Sequence, residues 1–206
     1  MFVRRAIGWL FLKIAGWKPI GGMPSEGRYV LIAAPHTTNW DMPYMLAISW
    51  CLNVKIHWIG KKSLFKFPFG WIMKALGGIP VDRSKRQNTV QQVAQWMLAR
   101  DHAIVVVPPE GTRSKTPFWK SGFYHIAREA QVPITLGFLD YANKCGGFGP
   151  QFTPTDDPKA DMEHFRAFYQ PHMAKFTAKY TVPRLREEVE ALTEVEATPP
   201  PSKDPA

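Results

Sequence analysis

Four nearly unbroken apolar runs of strand length restrict the fold more than any other feature of the chain. They are Tyr29–Ala34, Val54–Gly60, Ala103–Val107 and Pro133–Leu139, all rich in Val and Ile. A strand with one wet face alternates polar and apolar residues, whereas an unbroken run belongs to a strand covered on both faces. Segments with helical spacing separate the runs: Met42–Leu52, then Leu64–Leu76 with Pro68 limiting its start, then Asn88–Ala99 and Phe118–Ala130. Within Asn88–Ala99, Val90, Val93, Ala94 and Met97 recur at the i, i+3, i+4, i+7 spacing of one helix face. Strands alternating with helices predict an α/β fold: a single domain with a largely parallel central sheet and helices on its faces. A chain of 206 residues holds one such domain and not two of ordinary size.

The ends of the chain read differently. No run approaches the roughly 18 apolar residues of a membrane span; the longest near the N-terminus, Ala6–Leu12, stops at Lys13. It lacks a small-residue cleavage site and makes a poor signal peptide. Residues 1–20 read instead as an N-terminal amphipathic helix. It either lies in a bilayer interface or packs on its own domain. In the first case Trp9, Phe11 and Trp17 are wedges, while Arg4, Arg5, Lys13 and Lys18 face headgroups. The domain proper is expected over residues 21–196. Asp161–Tyr180 reads as a helix interrupted near Pro171, Arg184–Glu196 as a charged helix, and residues 197–206 as a disordered Pro-rich tail.

Charge narrows the partners. Residues 55–128 carry 13 Lys and Arg against 3 Asp and Glu, whereas residues 129–206 carry 8 against 12. A basic middle calls for an anionic partner: phosphate groups, anionic lipid headgroups, an acidic carrier protein or nucleic acid. The two cysteines, Cys51 and Cys145, make no disulfide framework, and no Cys or His spacing suggests a metal site, so no metal is expected.

Chemistry concentrates directly after the strands. The first constellation is Pro35-His36-Thr37-Thr38-Asn39-Trp40-Asp41. Five residues of regular helix would turn Asp41 about 140° away from His36. The pair meets only if His36 lies in the loop and Asp41 in the first helical turn, with Thr38 or Asn39 as N-cap. The carboxylate then accepts Nδ1–H of the imidazole and leaves Nε2 free as a base. The second constellation, Glu110-Gly111-Thr112-Arg113-Ser114, offers a backbone free to approach a ligand, an arginine fork for phosphate, and two hydroxyls. The third, Gly77-Gly78-Ile79-Pro80-Val81-Asp82-Arg83-Ser84, reads as a Gly-hinged turn ending in an arginine.

Taken together and in this order, these blocks resemble the glycerolipid acyltransferase family, whose best-known members are the 1-acylglycerol-3-phosphate (lysophosphatidic acid) acyltransferases. His36 and Asp41 match its first block, Gly78–Arg83 the second, Glu110–Ser114 the third, and Val132-Pro133-Ile134 the short apolar fourth. Pro35 stands where many members have Asn. The resemblance covers about Tyr29 to Leu139 and implies a set of roles. His36 would be the general base and Asp41 its orienting acid. Arg83 and Arg113 would hold an acceptor phosphate in a pocket shaped by Glu110, Gly111, Thr112 and Ser114. Backbone N–H groups near Gly111 would stabilise the oxyanion. Lys61, Lys62, Lys120 and Arg128 would hold the acidic part of the donor. The implied reaction moves a fatty acyl group from acyl-CoA or acyl carrier protein, as co-substrate, to a lysophospholipid. No other cofactor is implied. The implied location is peripheral, on the cytoplasmic face of a membrane with anionic lipid.

Three rivals are weaker. A serine or cysteine hydrolase would need a nucleophile elbow, and Gly-x-Ser-x-Gly does not occur. A nucleic-acid-binding module would need a recognisable reading element, and the basic residues are instead interleaved with strand and turn signals. A purely structural membrane protein leaves the His–Asp and Glu-Gly-Thr-Arg-Ser blocks unexplained. Within the family, another lyso-polar lipid, such as an amino-acid lipid, is the alternative acceptor.

Overall fold

The structure, a computed structural model, describes residues 2–21, 27–81 and 86–188. Its seven strands are β1 (Lys18–Ile20), β2 (Arg28–Ala34), β3 (Ile56–Lys61), β4 (Gly78–Val81), β5 (Ala103–Val107), β6 (Ile134–Asp140) and β7 (Cys145–Phe152). They form one sheet in the order β1-β7-β6-β2-β5-β3-β4. Every pairing is parallel except β6 with β7. The helices are α1 (Phe2–Ala15), α2 (Asp41–Cys51), α3 (Gly70–Ala75), α4 (Arg86–Leu98), α5 (Gly122–Glu129) and α6 (Pro158–Phe168). The expected α/β domain with a largely parallel sheet is the observed one.

Both faces of the central strands are covered, which is why their sequences are unbroken apolar runs. On one face Val30, Ile32, Val105, Ile134 and Leu136 pack with Val93, Ala94 and Met97 of α4, Phe123 and Ile126 of α5, and Met162 and Phe165 of α6. On the other, Leu31, Ile56 and Val106 meet Leu46 of α2, with Leu76 at the end of α3 packed alongside. The helical face read from Val90, Val93, Ala94 and Met97 is the one α4 turns to the sheet.

Three strands escaped the sequence reading. β7 carries Gly146, Gly147 and Gly149, residues that weaken a strand. Close approach demands one of them: a Cβ on Gly147 would stand 1.6 Å from the Ile20 carbonyl oxygen of β1. β4 hides inside the turn-like Gly77–Ser84 segment, as an edge strand with an exposed proline. Leu64–Leu76 is a 3-10 turn, Lys62–Phe65, followed by α3, because the residues around Pro68 break the helix. The helix expected from Asp161 begins earlier. Asp157 caps it by accepting from the N–H groups of Lys159 and Ala160, and Pro158 fills its first turn. It ends at Phe168, and two 3-10 turns, Pro171–Met173 and Thr177–Lys179, replace its expected continuation. Of the expected charged helix Arg184–Glu196, residues 184–188 are described, and only 186–188 of these are helical; Arg83 and the tail 197–206 lie outside the described residues.

The N-terminal helix packs on its own domain. Gly8, Leu12 and Trp17 are buried against α2, and a Cβ on Gly8 would lie 2.7 Å from the Ala47 carbonyl oxygen. Trp17 stacks on Tyr44 at 4.2 Å, and Phe11 meets the same ring edge-on. Trp17 and Phe11 are therefore anchors to the domain, not wedges. A second apolar face remains: Val3, Ile7, Leu10 and Ile14 follow one another at helical spacing and are exposed, as is Trp9. No helix among the described residues is long and apolar enough to cross a membrane.

Candidate active site

Parallel strands end together, and the loops after β2, β3 and β5 leave from the same edge of the sheet. Open α/β sheets bind ligands at this edge. His36 stands there in the loop after β2, and Asp41 opens α2. His36 Nδ1–H donates to Asp41 Oδ2 at 2.9 Å, so the two side chains face each other and Nε2 is not engaged by the acid. The same oxygen accepts the backbone N–H groups of Thr37 at 3.0 Å and Thr38 at 3.1 Å. Neither Thr38 nor Asn39 is the N-cap. Trp40 occupies that position, and Thr38 Oγ1, two residues earlier, accepts its N–H at 3.3 Å. The acid itself folds the loop that carries the base.

A fourth donor comes from far along the chain. Tyr141, just past β6, donates its hydroxyl to Asp41 Oδ1 at 2.6 Å. Burial, then the Asp41 carboxylate, push the Tyr141 phenol far above its ordinary range, so it stays a donor. Tyr141 also meets Trp17 and Tyr44 edge-on, which ties the acid to the aromatic cluster under α1. One hundred residues separate Tyr141 from Asp41, and no local signal marks it.

Glu110 is turned inward. It is buried, and its Oε1 accepts the His36 backbone N–H at 3.0 Å. Among the described residues its Oε2 is buried with no hydrogen-bond partner. Burial raises its carboxyl to about 7, against a smaller lowering by the His36 amide. Glu110 thus braces the His36 backbone from below. Gly111, at φ +64, lets the turn double back, and Lys120 lies where a Cβ would be, its Nζ 2.5 Å away. The Gly111 N–H donates to Pro108 O at 3.2 Å, so that amide is already spent within the turn. Arg113 donates to Asn39 Oδ1, linking the first and third blocks, and Ser114 N–H donates to Thr112 Oγ1 at 3.3 Å.

Two spaces meet at His36 and Arg113. An apolar cavity of about 390 Å³ runs between α2 and the sheet, lined by Leu31, Met42, Met45, Ile48, Trp58 and Phe148 among others. On the opposite face of the sheet a broad cleft opens beside α5, lined by Thr112, Lys120, His125, Arg128 and Arg186. Arg128 also pairs with Asp156. Lys61 and Lys62 do not join this group; they stand exposed at the end of β3 and the start of the next 3-10 turn. Arg186 was not foreseen; it reaches the cleft because Leu185 bridges Trp119 and Glu187 accepts from the Ser121 hydroxyl at 2.8 Å. Among the described residues no three His, Cys, Asp or Glu side chains gather to hold a metal ion.

A tethered imidazole between an apolar cavity and a basic cleft suits removal of a proton from an alcohol beside a long apolar group and an anion. The sequence matches the family model described as Acyltransferase over residues 22–135. It is 39% identical over 134 residues to a 1-acyl-sn-glycerol-3-phosphate acyltransferase of Saccharomyces cerevisiae, a stretch covering 61% of this chain and 41% of that protein. To the Haemophilus influenzae protein of the same name it is 36% identical over 107 residues, 48% of this chain and 42% of that one. The chain thus matches less than half the length of these relatives. The fold resembles the crystal structure of the 1-acyl-sn-glycerophosphate (LPA) acyltransferase PlsC from Thermotoga maritima, with a TM-score of 0.55. That likeness covers 97% of this chain and 80% of the other at 17% identity.

Proposed function

The chain belongs to the acyltransferase family, and on that premise we propose that it moves a fatty acyl group from a thioester to the hydroxyl of a lysophospholipid at a membrane surface. The observation that carries this reading is the 2.9 Å contact of His36 Nδ1 with Asp41 Oδ2 at the junction of an apolar cavity and a basic cleft. His36 Nε2 takes the proton of the acceptor hydroxyl as that oxygen attacks the thioester carbonyl. Asp41, held by Thr37, Thr38 and Tyr141, stabilises the imidazolium. The tetrahedral intermediate then collapses, the thiolate leaves, and the imidazolium returns the proton to it. Transfer is direct, without an acyl-enzyme.

The acceptor is most simply 1-acylglycerol-3-phosphate. Arg113 beside His36 offers a guanidinium fork to its phosphate, and relatives named for that substrate share the matched stretch. The apolar cavity takes an acyl chain. Lys120 and Arg128 in the cleft take the acidic end of the donor, whether coenzyme A or acyl carrier protein. The exposed stripe Val3-Ile7-Leu10-Ile14 of α1, with Arg4, Arg5 and Lys13 beside it, rests on the membrane.

The test offers purified protein several lysolipids with acyl-CoA and acyl carrier donors, following thiol release and product mass, with His36→Ala as control. Transfer to lysophosphatidic acid that the variant abolishes is expected. Transfer that survives His36→Ala overturns the mechanism, and a preference for a lysolipid without phosphate overturns the acceptor.

A further inference from the structure

Between β3 and α3 the chain holds large apolar side chains out in solvent. Phe67 is 96% exposed and Trp71 71%, with Leu64 and Phe69 also more than half exposed. The segment is nonetheless tightly built. Phe65 turns inward, stacks on Trp58 at 5.9 Å, and fills the space above Gly60 and Gly78, where any Cβ would clash with its ring at 2.7 Å. Gly70 N–H donates to Lys66 O at 2.9 Å, and a Cβ on Gly70 would stand 2.1 Å from the Phe65 carbonyl oxygen. An anchored segment that aims its aromatic rings outward presents them to a partner.

We infer that Leu64–Trp71 is a second membrane contact, inserting Phe67, Phe69 and Trp71 into the interface of an anionic lipid bilayer; this rests on the membrane reading of α1 and extends it. Charge fits that occupant: exposed Lys61, Lys66 and Lys74 alternate with the aromatic side chains, so apolar rings enter while ammonium groups meet headgroups. Continuity fits as well. α1, α2 and α3 lie on the same face of the sheet, and Arg4 of α1 donates to Ala75 O at the end of α3 at 3.2 Å. The exposed stripe of α1 and the loop therefore belong to one surface. Position adds the functional point. The segment leaves the C-terminal end of β3, the edge where His36 stands, so a bilayer touching it lies beside the mouth of the site.

Nitroxide labels test this in the full chain with Cys51 and Cys145 replaced by Ala, one placed by Phe67→Cys and one by Ile7→Cys. Vesicles of phosphatidylglycerol and phosphatidylcholine are added, and exposure to a water-soluble nickel relaxant is read. Shielding at 67 that depends on vesicles is the expected result. Shielding at 7 with 67 left in water overturns this inference and leaves the α1 reading intact; neither label shielded overturns both. Shielding at 67 without vesicles that grows with protein concentration means a second copy covers the loop and also overturns it. In vesicle sedimentation, the unlabelled Phe67→Ser, Phe69→Ser, Trp71→Ser triple variant should bind at least tenfold more weakly than the parent, on the order of tenfold per buried ring at most. Equal binding overturns the inference.

Discussion

Replacing Glu110 by Gln should change how stability depends on pH, with a sign set by its burial and a size of a few kcal/mol. The Glu110 carboxyl is buried under the His36 backbone, one oxygen paired and the other not, and burial lifts it from 4.5 to about 7. Below pH 4.5 the group is neutral folded and unfolded, and costs nothing extra. As pH rises toward 7 the unfolded chain releases the proton first, so the folded state loses stability, and above 7 the loss is complete. At about 1.4 kcal/mol per pH unit, the interval from 4.5 to about 7 corresponds to roughly 3 kcal/mol. Glutamine keeps the oxygen that accepts the His36 N–H and does not ionise. Urea unfolding of both proteins at pH 4.5, 5.5, 7 and 8 isolates this residue, since every other titrating group is shared. The variant should gain roughly 3 kcal/mol on the parent between pH 4.5 and pH 8. Parallel stability curves would refute the reasoning, because they would mean that Glu110 meets water or a partner when folded.

Three further outcomes follow from the same geometry. Tyr141→Phe removes a hydrogen bond to a buried carboxylate, worth about 1.5–3 kcal/mol, so Tm should fall by about 3–12 °C and kcat should drop with it; a variant that keeps both would show that Asp41 needs no fourth donor. Asp41→Asn preserves the shape but removes the charge behind the imidazolium, and kcat should fall by about 10²–10⁴ with KM nearly unchanged; single-turnover kinetics equal to the parent would count against the base. Gly147→Ala drives a methyl into the Ile20 carbonyl and should cost about 1–3 kcal/mol or loosen β1; unchanged Tm together with unchanged amide exchange at Lys18 and Ile20 would sink that account.

What could be read from the residues was what short-range physics encodes. The four central strands announced themselves because burial on both faces leaves no room for polar side chains. Strands outside that centre carry no such demand. β4 is short with an exposed proline, and β7 spends its positions on glycine where β1 crowds it. The His36–Asp41 contact was legible for a similar reason: five residues and a helix start nearly determine it. Tyr141 was not, since it reaches Asp41 only because β6 pairs in parallel with β2 and ends beside the start of α2. Glu110 is legible as part of a block, but its inward turn toward the His36 backbone is not, because sequence does not tell whether a loop carboxylate points out or in. The second face of α1 was missed because two apolar stripes on one short helix blur into general hydrophobicity.

Phe11, Trp17, Tyr44 and Tyr141 stand ring against ring from the outermost helix to the hydroxyl that touches Asp41. Trimming away the first twenty residues to obtain a better-behaved reagent would take two of those rings and the edge strand with them. Whatever such a shortened protein did in a cuvette, its sluggishness would report a slackened acid as much as a lost grip on lipid.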